Sequence, residues 1–165
     1  MGIAATTALW FLPFAVPICI WVAWSDMATM KIPNKAVVAL FVVFAVVGLG
    51  TLSFGDYLWR YVHLVAVLAV GFLLNIVRAV GAGDAKFAAA MAPFVDPADL
   101  QRVLMLFAAV VLAALLTHRT ARAMPAVRGA FPGWESWTRK DFPMGLALGA
   151  ALIFYLALGA VFGAR

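Results

Sequence analysis

Charged residues are scarce in this sequence. They make up 12% of its 165 residues, whereas soluble domains carry roughly a quarter. Hydrophobic residues account for 67% of the chain, and the mean hydropathy is +1.06. So little charge excludes an ordinary soluble domain, whose surface must face water on all sides. The composition therefore predicts an integral membrane protein.

Cysteine is almost absent as well. Cys19 is the single cysteine, which excludes an internal disulfide and a cysteine-based zinc site. It lies inside an apolar run, where we expect it to be a small core residue. The sequence predicts neither a metal ion nor a cofactor.

The apolar residues are arranged in long runs. Each membrane-spanning helix needs about 20 apolar residues, so the runs predict an all-α, polytopic bundle of about six transmembrane helices in one domain, residues 1–165. The fourth run has only eleven residues, and we expect it to be a short or tilted span. The predicted spans are residues 4–24, 35–54, 61–80, 85–95, 100–117 and 142–163.

The basic residues predict the orientation, because loops rich in Lys and Arg stay in the cytoplasm. With the amino terminus outside, the loops at 25–35, 78–86 and 118–141 hold nine such residues and the opposite side holds three, which places both termini outside. The net charge of +5 then reflects contact with a lipid bilayer, and no nucleic acid partner is expected. The nine are Lys31, Lys35, Arg78, Lys86, Arg119, Arg122, Arg128, Arg139 and Lys140, and the three are Arg60, Arg102 and Arg165.

Two aspartates stand at the ends of apolar runs on this predicted cytoplasmic side. Asp26 ends the first run, and Asp84 follows Gly81 and Gly83 at the start of the fourth. Charged groups at membrane depth are costly and are usually functional. We expect the glycines to provide either a positive φ or room for close approach of another segment.

Two neighbouring carboxyl groups share a proton and titrate as a pair. Such a pair can take a proton from a water molecule that attacks an amide carbonyl and can protonate the oxygen or the leaving nitrogen. The sequence does not assign acid and base to Asp26 and Asp84. In the plainer alternative each aspartate only caps a helix at the membrane interface.

Other functions compete with a peptidase. Paired intramembrane acids also relay ions in transporters and proton conductors, although those proteins often show internal repeats, and none is visible here. A non-catalytic assembly subunit would need neither aspartate. A lipid phosphotransferase is weaker still, because two acids are few for a two-metal site.

Three motifs carry a resemblance to a known family. Asp26 followed by Ile32-Pro33-Asn34, then Gly81-Ala82-Gly83-Asp84-Ala85-Lys86, and then Phe142-Pro143-Met144-Gly145-Leu146-Ala147 resemble the type IV prepilin peptidases. The chain is most similar to the short, peptidase-only branch associated with Flp/Tad pili.

The resemblance implies an intramembrane aspartic endopeptidase with Asp26 and Asp84 as its catalytic pair. Its substrates would be prepilin leader peptides and their membrane-embedded helices, cut at the cytoplasmic face of the bacterial inner membrane for pilus biogenesis or secretion. We expect no methylation of the product, because the loop at 25–35 is short and no nucleotide-binding fingerprint is present. The oligomeric state and the particular prepilin stay open. The supporting residues implied are Gly81, Gly83, Lys86, Pro33 and Asn34.

Overall fold

The computed structural model describes residues 1–164. Within this range the chain forms seven α-helices and three short 3-10 turns, with no β-strand. The predicted all-α fold is therefore confirmed. The helices are α1 (Ala5–Thr29), α2 (Asn34–Thr51), α3 (Phe54–Ile76), α4 (Ala82–Met91), α5 (Leu100–Ala123), α6 (Pro125–Ala130) and α7 (Met144–Phe162).

Five of the helices in residues 1–164 are long and apolar enough to cross a membrane. They are α1, α2, α3, α5 together with the turn before it, and α7. Large apolar side chains such as Val65, Phe72 and Val161 are exposed on the outside of the bundle, as expected where lipid replaces water as the solvent. The chain is a multi-pass membrane protein.

The expected fourth span is not a full-length helix. The helix α4 has ten residues, which correspond to about 15 Å against roughly 30 Å of hydrocarbon. Two 3-10 turns, Ala92–Phe94 and Pro97–Asp99, continue the chain to the start of α5. Proline at the second position of one turn and the first of the other removes backbone donors and ends the regular helix there.

The helices α1 and α7 pack closely along their length. A Cβ atom at Gly149 would lie 2.8 Å from the backbone oxygen of Cys19, and one at Gly159 would lie 2.7 Å from a side-chain carbon of Ile3. Without a side chain at these two positions, the backbones approach more closely than larger residues allow. This contact determines how the first turn of α7 meets the last turn of α1.

Aromatic side chains fill the space between α1, α2 and the turn after α4. The rings of Phe11 and Phe94 lie 4.7 Å apart, and the ring of Phe44 lies 5.6 Å from that of Phe94. All three side chains are buried. Tyr57 of α3 stacks on Phe44, so the cluster joins α1, α2, α3 and the turn after α4.

A second group of carboxylates fixes the far end of the α4 segment. Asp99 is fully buried, accepts hydrogen bonds from the Gly2 backbone N–H at 2.8 Å and from the Tyr155 hydroxyl at 3.2 Å, and pairs with Arg102 at 2.8 Å. Asp96 pairs with Arg60 at 2.6 Å. Buried charges are tolerated when they are paired and hydrogen-bonded in this way.

Asp26, the start of α4 and part of the connection between α5 and α7 share one end of the bundle, since Asp26, Asp84, Arg139 and Asp141 line a common groove. This is the arrangement that the two-aspartate hypothesis requires. That this end faces the cytoplasm stays a prediction. Arg165, which was counted on the opposite side, lies outside the described residues.

We predict that Gly149→Ala destabilises the bundle. The new Cβ would lie 2.8 Å from the backbone oxygen of Cys19, and a backbone atom cannot rotate away as the tip of a side chain can. Overpacking of this kind costs about 1–3 kcal/mol, so the thermal unfolding midpoint in detergent should fall.

The matched control is Gly50→Ala in α2, where no atom lies within 4 Å of the new Cβ. Its midpoint should stay unchanged or rise slightly, because alanine favours helix over glycine. Equal midpoints for the two variants would contradict the tight contact between α1 and α7.

Candidate functional site

Asp26 lies in the last turn of α1, and its side chain is buried. The helix ends at Thr29, and the next residue, Met30, has a left-handed φ of 52° and donates its N–H to the Asp26 backbone oxygen at 2.9 Å. The Asp26 carboxylate accepts a hydrogen bond from the backbone N–H of Gly145, at 2.6 Å from Oδ2. This bond joins the end of α1 to the start of α7.

Asp84 lies in the first turn of α4, three residues after Gly81, which precedes the helix. A carboxylate at this position is favoured by the free N–H groups and the dipole of the helix. Burial and the negative charge of the nearby Asp26 nevertheless raise the pKa of Asp84 to about 6, although the Gly81 backbone lowers it. Asp84 therefore holds a proton at a higher pH than a solvated aspartate does.

Both carboxylates line one open groove of about 730 Å³. The loop after α1, the connection between α3 and α4, the first turn of α4 and the segment before α7 form its walls. Both polar and apolar residues line it. The remaining lining residues are Met30, Lys31, Ile32, Asn34, Asn75, Arg78, Ala79, Val80, Gly81, Ala82, Gly83, Lys86, Arg139, Asp141 and Phe142.

Four of the five predicted supporting residues line this groove. They are Gly81, Gly83, Lys86 and Asn34, and Lys86 Nζ donates to Asn34 Oδ1 at 3.4 Å. Pro33 does not line the groove. It immediately precedes α2 and has an extended backbone, and α2 begins at the next residue, Asn34.

Cations slightly outnumber anions along the groove. When the two aspartates share one proton, the lining residues carry four positive and two negative charges. The groove therefore offers a positive environment around its carboxyl pair. The cationic residues are Lys31, Arg78, Lys86 and Arg139, and the acidic ones are Asp26, Asp84 and Asp141.

The expected loop at 118–141 begins as the last turns of α5, and the connection from Met124 to α7 is ordered by aromatic contacts. Trp137 is buried, donates its indole N–H to the Phe131 backbone oxygen at 2.8 Å and stacks on His118 with ring centroids 5.4 Å apart. Trp134 packs edge-on against Trp24 at 5.1 Å. Because Trp24 and Asp26 both lie near the end of α1, this aromatic cluster packs the connection against the same end of the helix as the site.

Gly145 is the site residue that the sequence did not single out. A Cβ atom there would lie 2.9 Å from Asp26 Cβ and 3.1 Å from Val22 Cγ1, so glycine is required for the close contact. The available signal was the third motif, in which this glycine follows Phe142-Pro143-Met144 at the start of an apolar run. A chemical role was not assigned to it because a glycine has no side chain to titrate.

The family model that matches the chain is described as the type IV leader peptidase family, and it covers residues 13–118. The match spans more than half of the sequence and includes both Asp26 and Asp84. The chain belongs to the type IV leader peptidase family. The predicted resemblance is confirmed at this level. Comparisons with curated proteins and with solved structures find no match.

Membership of the type IV leader peptidase family supports a prepilin peptidase-type function, with prepilins as substrates and a membrane as the environment. The matched segment ends before Gly145 and before Phe131, Trp134 and Trp137 of the aromatic cluster. These features are therefore described by the structure alone.

The two glycines before Asp84 differ in what they contact. A Cβ atom at Gly81 would lie 2.6 Å from Asp84 Oδ2, whereas one at Gly83 would make ordinary contact with Ile32 at 3.4 Å. No glycine within residues 1–164 has a positive φ, so the expectation of a positive φ at Gly81 or Gly83 was wrong. The absence of a side chain matters more at Gly81 than at Gly83.

We predict that Gly81→Ala reduces the cleavage rate by about 100-fold, the order of loss that a displacement of about 1 Å at a reacting group causes. The Asp84 carboxylate is the flexible end of a side chain, so it can rotate away from the new methyl group with little loss of stability. The rate is measured on purified protein with a prepilin substrate, beside the thermal midpoint.

The control variant is Gly83→Ala, whose methyl group has room against Ile32 and should leave most of the rate. An equal loss in both variants would mean that contact with Asp84 is not what excludes a side chain at position 81.

Proposed function

We propose that the protein is an intramembrane aspartic endopeptidase that removes the leader peptide from type IV prepilins, with Asp26 and Asp84 as its catalytic pair. The observation that supports this most is that two carboxylates from different helices line one groove in a member of a leader peptidase family. If each aspartate only capped a helix, the two carboxylates would not need to line the same groove.

The electrostatics of the pair suit amide hydrolysis. Asp84 keeps a proton up to a pH near 6 because it is buried and lies near the charge of Asp26. One carboxylate and one carboxylic acid are then present together, and they can act as base and acid in the same step. Lipid around the site would add to the burial and extend this state to higher pH.

The shape of the groove fits an extended peptide segment that reaches the site from the aqueous side. The groove is open and combines amide side chains, such as Asn34 and Asn75, with the cations described above. In this proposal the leader lies in the groove and the membrane-embedded helix of the prepilin continues into the bilayer.

The location and the branch of the family are also part of the proposal. The nine-to-three distribution of Lys and Arg supports an active site at the cytoplasmic face of the bacterial inner membrane. The resemblance of the three motifs and the short loop after Asp26 support the peptidase-only branch associated with Flp/Tad pili. The biological result would be pilus biogenesis or secretion.

We predict that Asp26→Asn and Asp84→Asn each reduce leader cleavage at least about 100-fold, the lower end of what general acid–base catalysis contributes. Asparagine keeps the shape of aspartate but cannot exchange the proton. Cleavage is measured with purified variants from the mass of the prepilin product.

Asp56→Asn is the matched control, because Asp56 is exposed and lies near the start of α3, where it bonds Ser53. It should cleave at the wild-type rate. Substantial cleavage by either active-site variant would favour the non-catalytic assembly subunit over a peptidase.

We further predict that the groove end of the bundle is cytoplasmic. A cysteine introduced at Ala130 should not react with a membrane-impermeant thiol reagent in intact cells and should react after permeabilisation. The native Cys19 is fully buried and gives little background.

Gly55→Cys at the opposite end serves as the reference, because the site is exposed and no atom lies within 4 Å of the new Cβ. It should react in intact cells. Labelling of residue 130 from outside would reverse the orientation.

A further inference from the structure

The two carboxylates of the site are held in different ways. Asp26 Oδ2 receives the Gly145 N–H at 2.6 Å, within a buried contact between α1 and α7. Such a short hydrogen bond from a backbone donor is typical of an ionised acceptor. Gly145 is the second residue of α7, where the helix dipole also favours a negative charge.

The contact with Gly145 is built into the packing of the two helices. The absence of a Cβ at position 145 lets the N–H reach Asp26, because a methyl group would meet both Asp26 Cβ and Val22 Cγ1. The N–H is fixed by the helix and cannot rotate away, as a side-chain donor could. The Gly145 N–H therefore always favours the ionised form of Asp26.

Asp84 shares part of this environment, because it lies in the first turn of α4 and the Gly81 backbone also favours its ionised form. Lys86, the nearest cation along the chain, donates to Asn34, and no ion pair within residues 1–164 includes Asp84. Partial burial and the negative charge of Asp26 outweigh the Gly81 contact and favour the protonated form of Asp84. The charged groups that line the groove around the pair are Lys31, Arg78, Lys86, Arg139 and Asp141.

We propose that Gly145 is a positioning residue that keeps Asp26 ionised and so assigns the shared proton to Asp84. This rests on the proposed function and deepens it. Asp26 is then the general base and Asp84 the general acid of the first step, an assignment that neither the sequence nor the family match provides.

The reaction balances with these roles. Asp26 takes a proton from the water whose oxygen bonds to the amide carbon, and Asp84 donates its proton to the carbonyl oxygen, which forms a neutral gem-diol. The C–N bond then breaks, Asp26 returns its proton to the leaving nitrogen, and Asp84 takes a proton from one hydroxyl group. One water is consumed, an amine and a carboxylic acid are released, and the proton is again on Asp84.

The assignment is tested by infrared difference spectroscopy of the carboxyl groups in two purified variants in detergent. Asp84→Asn leaves Asp26 to titrate alone, and Asp26→Asn leaves Asp84 alone. We expect Asp26 to lose its proton at a lower pH than Asp84. Equal midpoints, or the reverse order, would overturn the proposal.

A second comparison isolates the role of Gly145. In the Asp84→Asn background, Gly145→Ala should raise the pH at which Asp26 titrates by about 1–2 units, the size of a hydrogen bond to a charged group. A purely structural role would lower the thermal midpoint and leave the titration unchanged.

The test stays informative if Gly145→Ala does not fold, because the two single aspartate variants carry the first comparison by themselves. The result of the titration test is also independent of the cleavage test of the proposed function. Titration reports the Asp26–Gly145 contact whether or not the protein cleaves a prepilin, whereas wild-type cleavage by the asparagine variants would overturn the peptidase without changing the titration order.

Discussion

The close contact between α1 and α7 is the constraint on which the site depends. Glycines at 145, 149 and 159 allow the two backbones to approach, and between helices in lipid such packing replaces the hydrophobic effect as the source of association. The contact brings the first turn of a helix that begins at residue 144 to the last turn of one that ends at residue 29. The hydrogen bond from Gly145 to Asp26 follows directly from that approach, so one packing interaction produces both the fold and the environment of a carboxylate.

The short helix α4 is the second requirement. It is held at its far end by the ion pair of Arg60 with Asp96 and by the buried Asp99, and at its near end it presents Asp84 to the groove. Because the segment has only ten helical residues, its depth is determined by these polar contacts rather than by a match to the bilayer thickness. A longer helix would tilt or shift to suit the lipid, and Asp84 would move with it.

In the proposed assignment, the Gly145 backbone stabilises Asp26 as an anion, and partial burial near that charge keeps the proton on Asp84. The aromatic cluster around Trp137 packs the connection between α5 and α7 against Trp24 of α1 and leads into α7. The connection between α5 and α7, which the sequence predicts as a polar and basic loop, is therefore packed against the helix bundle. Its Arg139 and Asp141 also line the groove, where they would lie next to a bound peptide.

Composition by itself determined the membrane class and the all-α bundle, because long apolar runs follow from the cost of placing polar groups in lipid. The three motifs indicated the family, and the isolated intramembrane acids predicted Asp26 and Asp84 as the functional pair. They did not determine that the fourth apolar run forms a helix of only ten residues. The length of the run does not reveal the two 3-10 turns or the buried Asp99 that follow the helix. They also could not reveal Gly145. Its N–H is present in every non-proline residue, and only the approach of two helices that are 119 residues apart at their contact decided which carboxylate receives it.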